Sequence, residues 1–238
     1  MRQRFVLDTT AITDAGLRIK EGYESLCQSA HEILDLIALA RLKLDISCYI
    51  PYPSVYGELL SFLKRHHCDE SVFVKLDTWL VKKTPNRYEV KIPAAIFYEY
   101  IMVVRQKMNK GRRLAEEFIW ESSAVTSRIL NEGEGDVEKE VGNLVSRFRD
   151  KYRLAMRQGI LDSAPDLDVL LLAKELEAGV VSSDAGIRRW SEKLGLRFVE
   201  AAKFPRMLRE YLALLGISSR SEISEYEEEK EEEEEKYK

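Results

Sequence analysis

Short β-branched runs alternate with helically spaced apolar residues at both ends of this chain, and such runs are missing from its middle. "RFVLDTT" (4–10) reads as a buried strand that turns into a helix after Asp8. Residues 24–45 carry apolar side chains at helical spacing. "CYIPYP" (48–53) reads as a strand stopped by Pro51 and Pro53, with a helix from about Ser54. Residues 70–84 read as helix, broken at Pro85 and Asn86, and "YEVKIPA" (88–94) reads as extended. After residue 159 the alternation resumes: helix over 167–177, strand at "AGVVSS" (178–183), helix over 185–194, strand at "LRFVEA" (196–201), and a closing helix in "KFPRMLREYLALLG" (203–216). Strands that alternate with helices predict an α/β fold, a parallel sheet flanked by helices with right-handed crossovers.

Between these halves, residues 94–131 read as one long helix or two in series, with Gly111 as the weak point. "EGEG" (132–135) is a turn. Asp136 caps a second helix over 137–158, aided by Glu138 and Glu140 in its first turn. The expected organisation is an α/β domain of residues 1–93 and 159–217, a projecting helical hairpin inserted at 94–158, and a tail at 218–238. The formal charge of −4 is uneven: residues 225–238 hold nine Glu and three Lys, a net −6, leaving +2 for the rest. A like-charge block of this kind reads as disordered or as a frayed helix.

No apolar run approaches the roughly 18 residues that span a bilayer, and the N-terminal apolar run is too short for a signal peptide. The expected location is cytoplasmic, with no membrane partner. Cys27, Cys48 and Cys68 are odd in number and form no Cys-x-x-Cys pair, which argues against a disulfide framework and a zinc knuckle. His66, His67 and Cys68 read as surface or turn, and the aromatic run at 94–104 as core or a helix–helix interface.

The aspartates carry the chemistry. Asp8 ends the first strand and Asp184 follows "GVVSS"; ligands of parallel sheets bind beyond the carboxyl ends of the strands. Asp162, Asp166 and Asp168 enter the helix that leads to that strand, so four or five carboxylates are expected to converge. Two unit charges about 4 Å apart repel by roughly 4 kcal/mol at an effective dielectric near 20. Protons or a cation must offset this, and oxygen-only ligands select Mg²⁺ or Mn²⁺. Such a site suits phosphodiester hydrolysis. Singly, Asp166 can complement a helix start in "SAPD", Asp184 can follow a Ser183 cap, and Asp162 can sit in a turn. Asp8 and Asp168 have no such local explanation.

"FVLDTTAIT" together with "SSDAG" resembles the PIN-domain nuclease superfamily. The longer string "GILDSAPDLDVLLLAKELEAGVVSSDAGIRRWSEKLG" resembles the HARP family, small protein-only RNase P enzymes also known as RNA ligase partner proteins. The resemblance spans nearly the whole chain except the tail. It implies a Mg²⁺-dependent endoribonuclease that removes 5′ leaders from precursor tRNA and leaves a 5′ phosphate. Asp8, Asp162, Asp166, Asp168 and Asp184 match the family's acidic site, as catalytic and metal-holding groups, with Thr9 and Ser182 in support. Ala185 stands where some relatives carry an acidic residue. The resemblance also implies a homo-oligomer built from dimers through the inserted helices, and a link to an RNA ligase.

An RNA partner is also suggested by charge. "RQKMNKGRR" holds Arg105, Lys107, Lys110, Arg112 and Arg113 with no acid. In "RFRDKYRLAMR", Arg149, Arg153 and Arg157 recur every fourth residue, which makes one helical stripe. Such contacts position RNA by shape and phosphate rather than by sequence. The hairpin is expected to hold the tRNA elbow while a site in a neighbouring subunit cuts. The competing readings are a less selective PIN-type ribonuclease and a noncatalytic RNA-binding partner of an RNA ligase.

Overall fold

The structure, a computed structural model, describes residues 3–132, 136–157, 161 and 163–216. Asp162, residues 133–135 of the "EGEG" turn and the acidic tail fall outside the described residues. The chain divides into two compact units, Met1–Lys91 with Ser163–Lys238, and Ile92–Asp162.

The first unit is an α/β layer structure. In chain order it contains β1 (Arg4–Leu7), α1 (Thr10–Thr13), α2 (Ala15–Glu21), α3 (Leu26–Leu44), β2 (Ser47–Pro51), α4 (Ser54–Arg65), α5 (Glu70–Trp79) and β3 (Leu80–Lys83). The second unit contains α6 (Ala94–Glu132) and α7 (Val137–Arg157). The first unit then resumes with α8 (Ala164–Leu176), β4 (Gly179–Ser182), α9 (Ala185–Lys193), β5 (Phe198–Glu200), a 3-10 turn at Ala201–Lys203, and α10 (Phe204–Ala213). These five strands pair in parallel, in the order β3-β2-β1-β4-β5. β1 and β4 are central strands buried on both faces. This explains why "FVL" and "GVVS" read as uninterrupted apolar runs.

Three readings of the sequence need correction. Residues 80–83, assigned to a helix, form β3, because "LVKK" gains its ladder only by pairing with β2. Residues 88–94 are not a strand; a turn spans 87–89. Cys27 and Cys68 form a disulfide, with Cα atoms 5.2 Å apart across a sequence separation of 41. Cys27 lies in the first turn of α3 and Cys68 just before α5, and α3 packs on α5. Their proximity is a tertiary fact that sequence spacing does not carry. The remaining cysteine, Cys48, is buried in β2, where burial pushes its thiol up to about 12.

In the helical unit α6 runs unbroken through Gly111. A Cβ there would sit 2.9 Å from the Tyr152 ring, so this glycine lets α7 approach closely rather than ending a helix. Phe118 meets Phe148 edge to face and Phe148 meets Tyr152 at a tilt, with ring centroids 5.4 and 5.6 Å apart. Asp136 Oδ1 accepts from the amides of Glu138 and Lys139, and so caps α7.

Candidate active site

The carboxyl ends of β1 and β4 are adjacent, and that edge holds Asp8. This residue is 8% exposed. Its Oδ2 accepts from Thr10 Oγ1 at 2.6 Å and from Ser182 Oγ at 2.8 Å. Thr10 Oγ1 accepts from the Ser183 amide at 2.9 Å, and Ser182 Oγ accepts from the Asp184 amide at 3.0 Å. A hydroxyl pair therefore fastens the end of β1 to the end of β4. The hydroxyl that binds Asp8 is that of Thr10 and not of Thr9, the residue expected in support. Thr9 Oγ1 is buried and finds no hydrogen-bond partner among the described residues.

Asp184 is itself the N-cap of α9, in place of Ser183. Its Oδ1 accepts from the Gly186 and Ile187 amides at 2.6 and 2.9 Å. Ser163 caps α8 by accepting from the Asp166 amide at 3.1 Å, with Pro165 in the first turn as the sequence suggested. Asp166 and Asp168 are two residues apart, about 200° around a helix, so they serve different surroundings.

Asp168 is 2% exposed and already engaged. Oδ1 accepts from Arg87 Nε at 3.0 Å, while Oδ2 accepts from Arg87 Nη2 and from Ser54 Oγ, both at 2.7 Å. Ser54 opens α4, and Glu58 lies one turn further on the same face. Glu58 is exposed overall, yet partial burial of its carboxyl, then the charge of Asp8, pushes its pKa up. Through α4 the Asp168 cluster and Asp8 thus share one edge of the sheet. Sequence reasoning missed Glu58 and Arg87. Glu58 looks like any polar-face glutamate, and Arg87 sits in a loop without periodicity.

Among the described residues, no three His, Cys, Asp or Glu side chains surround a common point. Of the four or five carboxylates expected to converge, Asp162 lies outside the described residues, and the others form no cluster of three. The donor chemistry still fits Mg²⁺, which holds to one or two carboxylates and keeps several waters. Asp8 Oδ1 takes no hydrogen bond among the described residues, and Asp184 uses only Oδ1 for its cap. Burial and, after it, repulsion from Asp8 raise Glu58, and a cation would offset the second of these.

The basic residues expected to meet RNA lie in the helical unit, and the structure sorts them. Lys107 is turned inward: its Nζ donates to the Ala155 carbonyl at 2.6 Å, satisfying an orphan acceptor in the last turn of α7. Arg147 and Lys151 lie over the Phe118 ring at 5.8 and 5.2 Å. Arg105, Lys110, Arg112, Arg113, Arg149 and Arg153 are exposed. Arg112 pairs with Glu116 and Arg153 with Asp150, at 3.5 and 3.6 Å. The Arg157 side chain falls outside the described set.

A parallel sheet with acidic side chains at its carboxyl edge is the architecture of a PIN-type nuclease, and residues 4–213 match the family described as PINc domain ribonuclease. A protein of Archaeoglobus fulgidus named RNA-free ribonuclease P is 82% identical over 216 residues, covering 91% of this chain and 94% of that one. Proteins of the same name from Methanococcus vannielii and Methanopyrus kandleri are 56% and 54% identical over 90% of this chain, and over 98% and 96% of their own lengths. The chain belongs to the RNA-free ribonuclease P (HARP) family of PIN-domain endoribonucleases. No helix among the described residues is long and apolar enough to cross a membrane.

Proposed function

We propose that this chain is a Mg²⁺-dependent endoribonuclease that cuts precursor tRNA at the mature 5′ end, releasing the leader and leaving a 5′ phosphate on the tRNA. The observation that carries the reading is Asp8. It is a nearly buried carboxylate at the β1–β4 edge, locked through Oδ2 by two hydroxyls, with Oδ1 left without a partner among the described residues. The substrate follows from the name shared by relatives that match almost end to end.

The acidic set is Asp8, Asp162, Asp166, Asp168 and Asp184, joined by Glu58. Asp8 and Asp184 offer oxygens to the ion, and Asp166 stands in the first turn of α8. Mn²⁺ suits the same donors. When bound, the metal supplies Lewis acidity for the attack of water on a phosphodiester. The chain's own part is to fix the carboxylates. Thr10 and Ser182 hold the Asp8 plane, and the α9 cap fixes Asp184. Burial and then the charge of Asp8 raise the Glu58 carboxyl above its ordinary value, which places this glutamate within the field of the acidic edge.

The exposed arginines and lysines of the helical unit supply a surface for the tRNA body, acting on phosphates. The same unit leaves Phe97, Trp120, Leu130 and Leu154 between 64% and 76% exposed, a composition that favours burial against a second copy. Assembly from dimers through these helices, action in the cytoplasm and a link to RNA ligation belong to the same reading. Purified protein, 5′-labelled precursor tRNA and Mg²⁺ test it. The expected result is one cut at the mature 5′ end that is abolished by chelation. Scattered cuts would instead identify a less selective ribonuclease, and binding without cleavage a noncatalytic partner.

A further inference from the structure

Arg87 occupies an unusual position for a surface arginine. It lies in the loop after β3, and its side chain is 57% exposed, yet it grips a carboxylate that is 2% exposed. The loop itself is clamped. The Asn86 amide donates to Glu175 Oε2 at 2.8 Å, Lys83 pairs with Glu175 Oε1 at 3.1 Å, and Thr84 Oγ1 donates to the Tyr52 carbonyl at 2.9 Å. Asp168 and Glu175 are two turns apart on α8, so one helix face holds both the loop backbone and the Arg87 head. The pull of the Asn86 amide and Lys83 outweighs burial and keeps the Glu175 carboxyl below its usual value.

Burying Asp168 to hold a loop is costly, because an apolar contact would do that without desolvating a charge. A charged pair retained at the rim of a reaction site has a further use when one partner keeps donors for a ligand. Asp168 takes Nε and Nη2 of Arg87; Nη1 has no partner among the described residues and its two N–H groups remain. A planar guanidinium fixed from behind presents these donors with little conformational entropy left to lose, which is the geometry that suits a phosphate. The same Asp168 cluster reaches α4 through Ser54, one turn from Glu58, whose carboxyl feels the charge of Asp8.

We propose that Arg87 contacts a backbone phosphate of the RNA strand being cut, and that Asp168 is the positioning residue that aims it. This rests on the endoribonuclease reading above. It assigns Asp168 a role through Arg87 rather than through direct contact with the ion.

The test is a cycle between protein and RNA. A neutral methylphosphonate is placed in turn at each phosphate flanking the cleavage site of precursor tRNA, and single-turnover cleavage is measured for wild type, R87A and R87K. One position should slow wild type on the order of tenfold or more, R87A should slow by a similar factor on unmodified RNA, and the two effects should not multiply. R87K, which keeps the charge but not the fork, should fall between. Effects that multiply at every position, or an R87A rate equal to wild type, overturn the proposal. Thermal unfolding of each variant shows whether the loop has merely loosened, and R87K carries the test if R87A does not fold. If wild type leaves precursor tRNA uncut, the functional reading fails. The same scan read as binding affinity in a chelator then still decides Arg87.

Discussion

The two units of this chain are built on opposite principles. The α/β unit buries its large side chains almost completely and joins residues far apart in sequence; Ser182 meets Asp8 across 174 positions. The helical unit relies on neighbours. Its side chains meet across one hairpin, and its buried apolar residues are few, with Phe118, Ile129 and Leu144 the largest. A unit that completes its own core can tolerate a cluster of charge at its edge. A two-helix unit cannot complete a core, and what it offers is surface, both cationic and apolar.

The contrast is sharpest in stability. Cys27 and Cys68 both belong to the α/β unit, and opening a loop of 41 residues is worth roughly 4 kcal/mol in the chain-entropy account. The double substitution to serine should lower the denaturant midpoint of that unit and leave the hairpin transition where it was. Parallel shifts in both would mean that the units do not unfold separately. Asp8→Asn tests the chemistry of the same unit. It keeps the shape that Thr10 and Ser182 recognise but removes the charge, so cleavage should drop by about 10²–10³-fold while RNA affinity stays near wild type. A wild-type rate would remove Asp8 from the site.

Smaller effects probe the helical unit. Gly111→Leu forces side-chain atoms into the Tyr152 ring and should cost the hairpin about 1–3 kcal/mol, read as diminished helix signal at intermediate denaturant. Arg149→Ala with Arg153→Ala should weaken RNA binding and lower the slope of log affinity against log salt by about 0.9 for each phosphate that is no longer neutralised. Cleavage of saturating substrate should persist, and an unchanged slope would take this stripe off the RNA surface. The smallest effect lies back at the site edge. Burial and Asp8 raise the Glu58 pKa in the folded state, so the folded protein holds that proton more tightly than the unfolded chain. Stability contributed at this position is therefore present at low pH and falls as pH rises from 4.5 toward the folded value. Glu58→Gln should flatten that part of the stability profile; an unaltered profile would separate Glu58 from Asp8.

The legibility of the sequence follows the same division. Local features were readable: α6, the Asp136 cap, and the β1 and β4 runs follow from spacing and capping chemistry. So was the placement of Asp8 and Asp184 at the carboxyl edge. What escaped depends on partners remote in sequence. β3 needed β2, the disulfide needed α3 to lie on α5, and Lys107 needed the end of α7. Glu58 gains meaning only from Asp8, and Arg87 only from Asp168, which stand far from them in the chain. The aspartates were recognised as a group because they share a residue type. Their division of labour, with Asp184 capping a helix and Asp168 gripping an arginine, needed the fold.

The hydroxyl bridge from Asp8 to Ser182 has a consequence for the life of the polypeptide. β1 and Thr10 are made together with Asp8, but the β4 neighbour and the second hydroxyl that orients Asp8 are added only when synthesis reaches residue 182. Until then one side of the central strand has no ladder and Asp8 has only its bond from Thr10. Long-range pairing of this kind also forms slowly compared with a hairpin of helices. The edge that holds Asp8 is thus assembled from segments made far apart in time, and the later of them completes it.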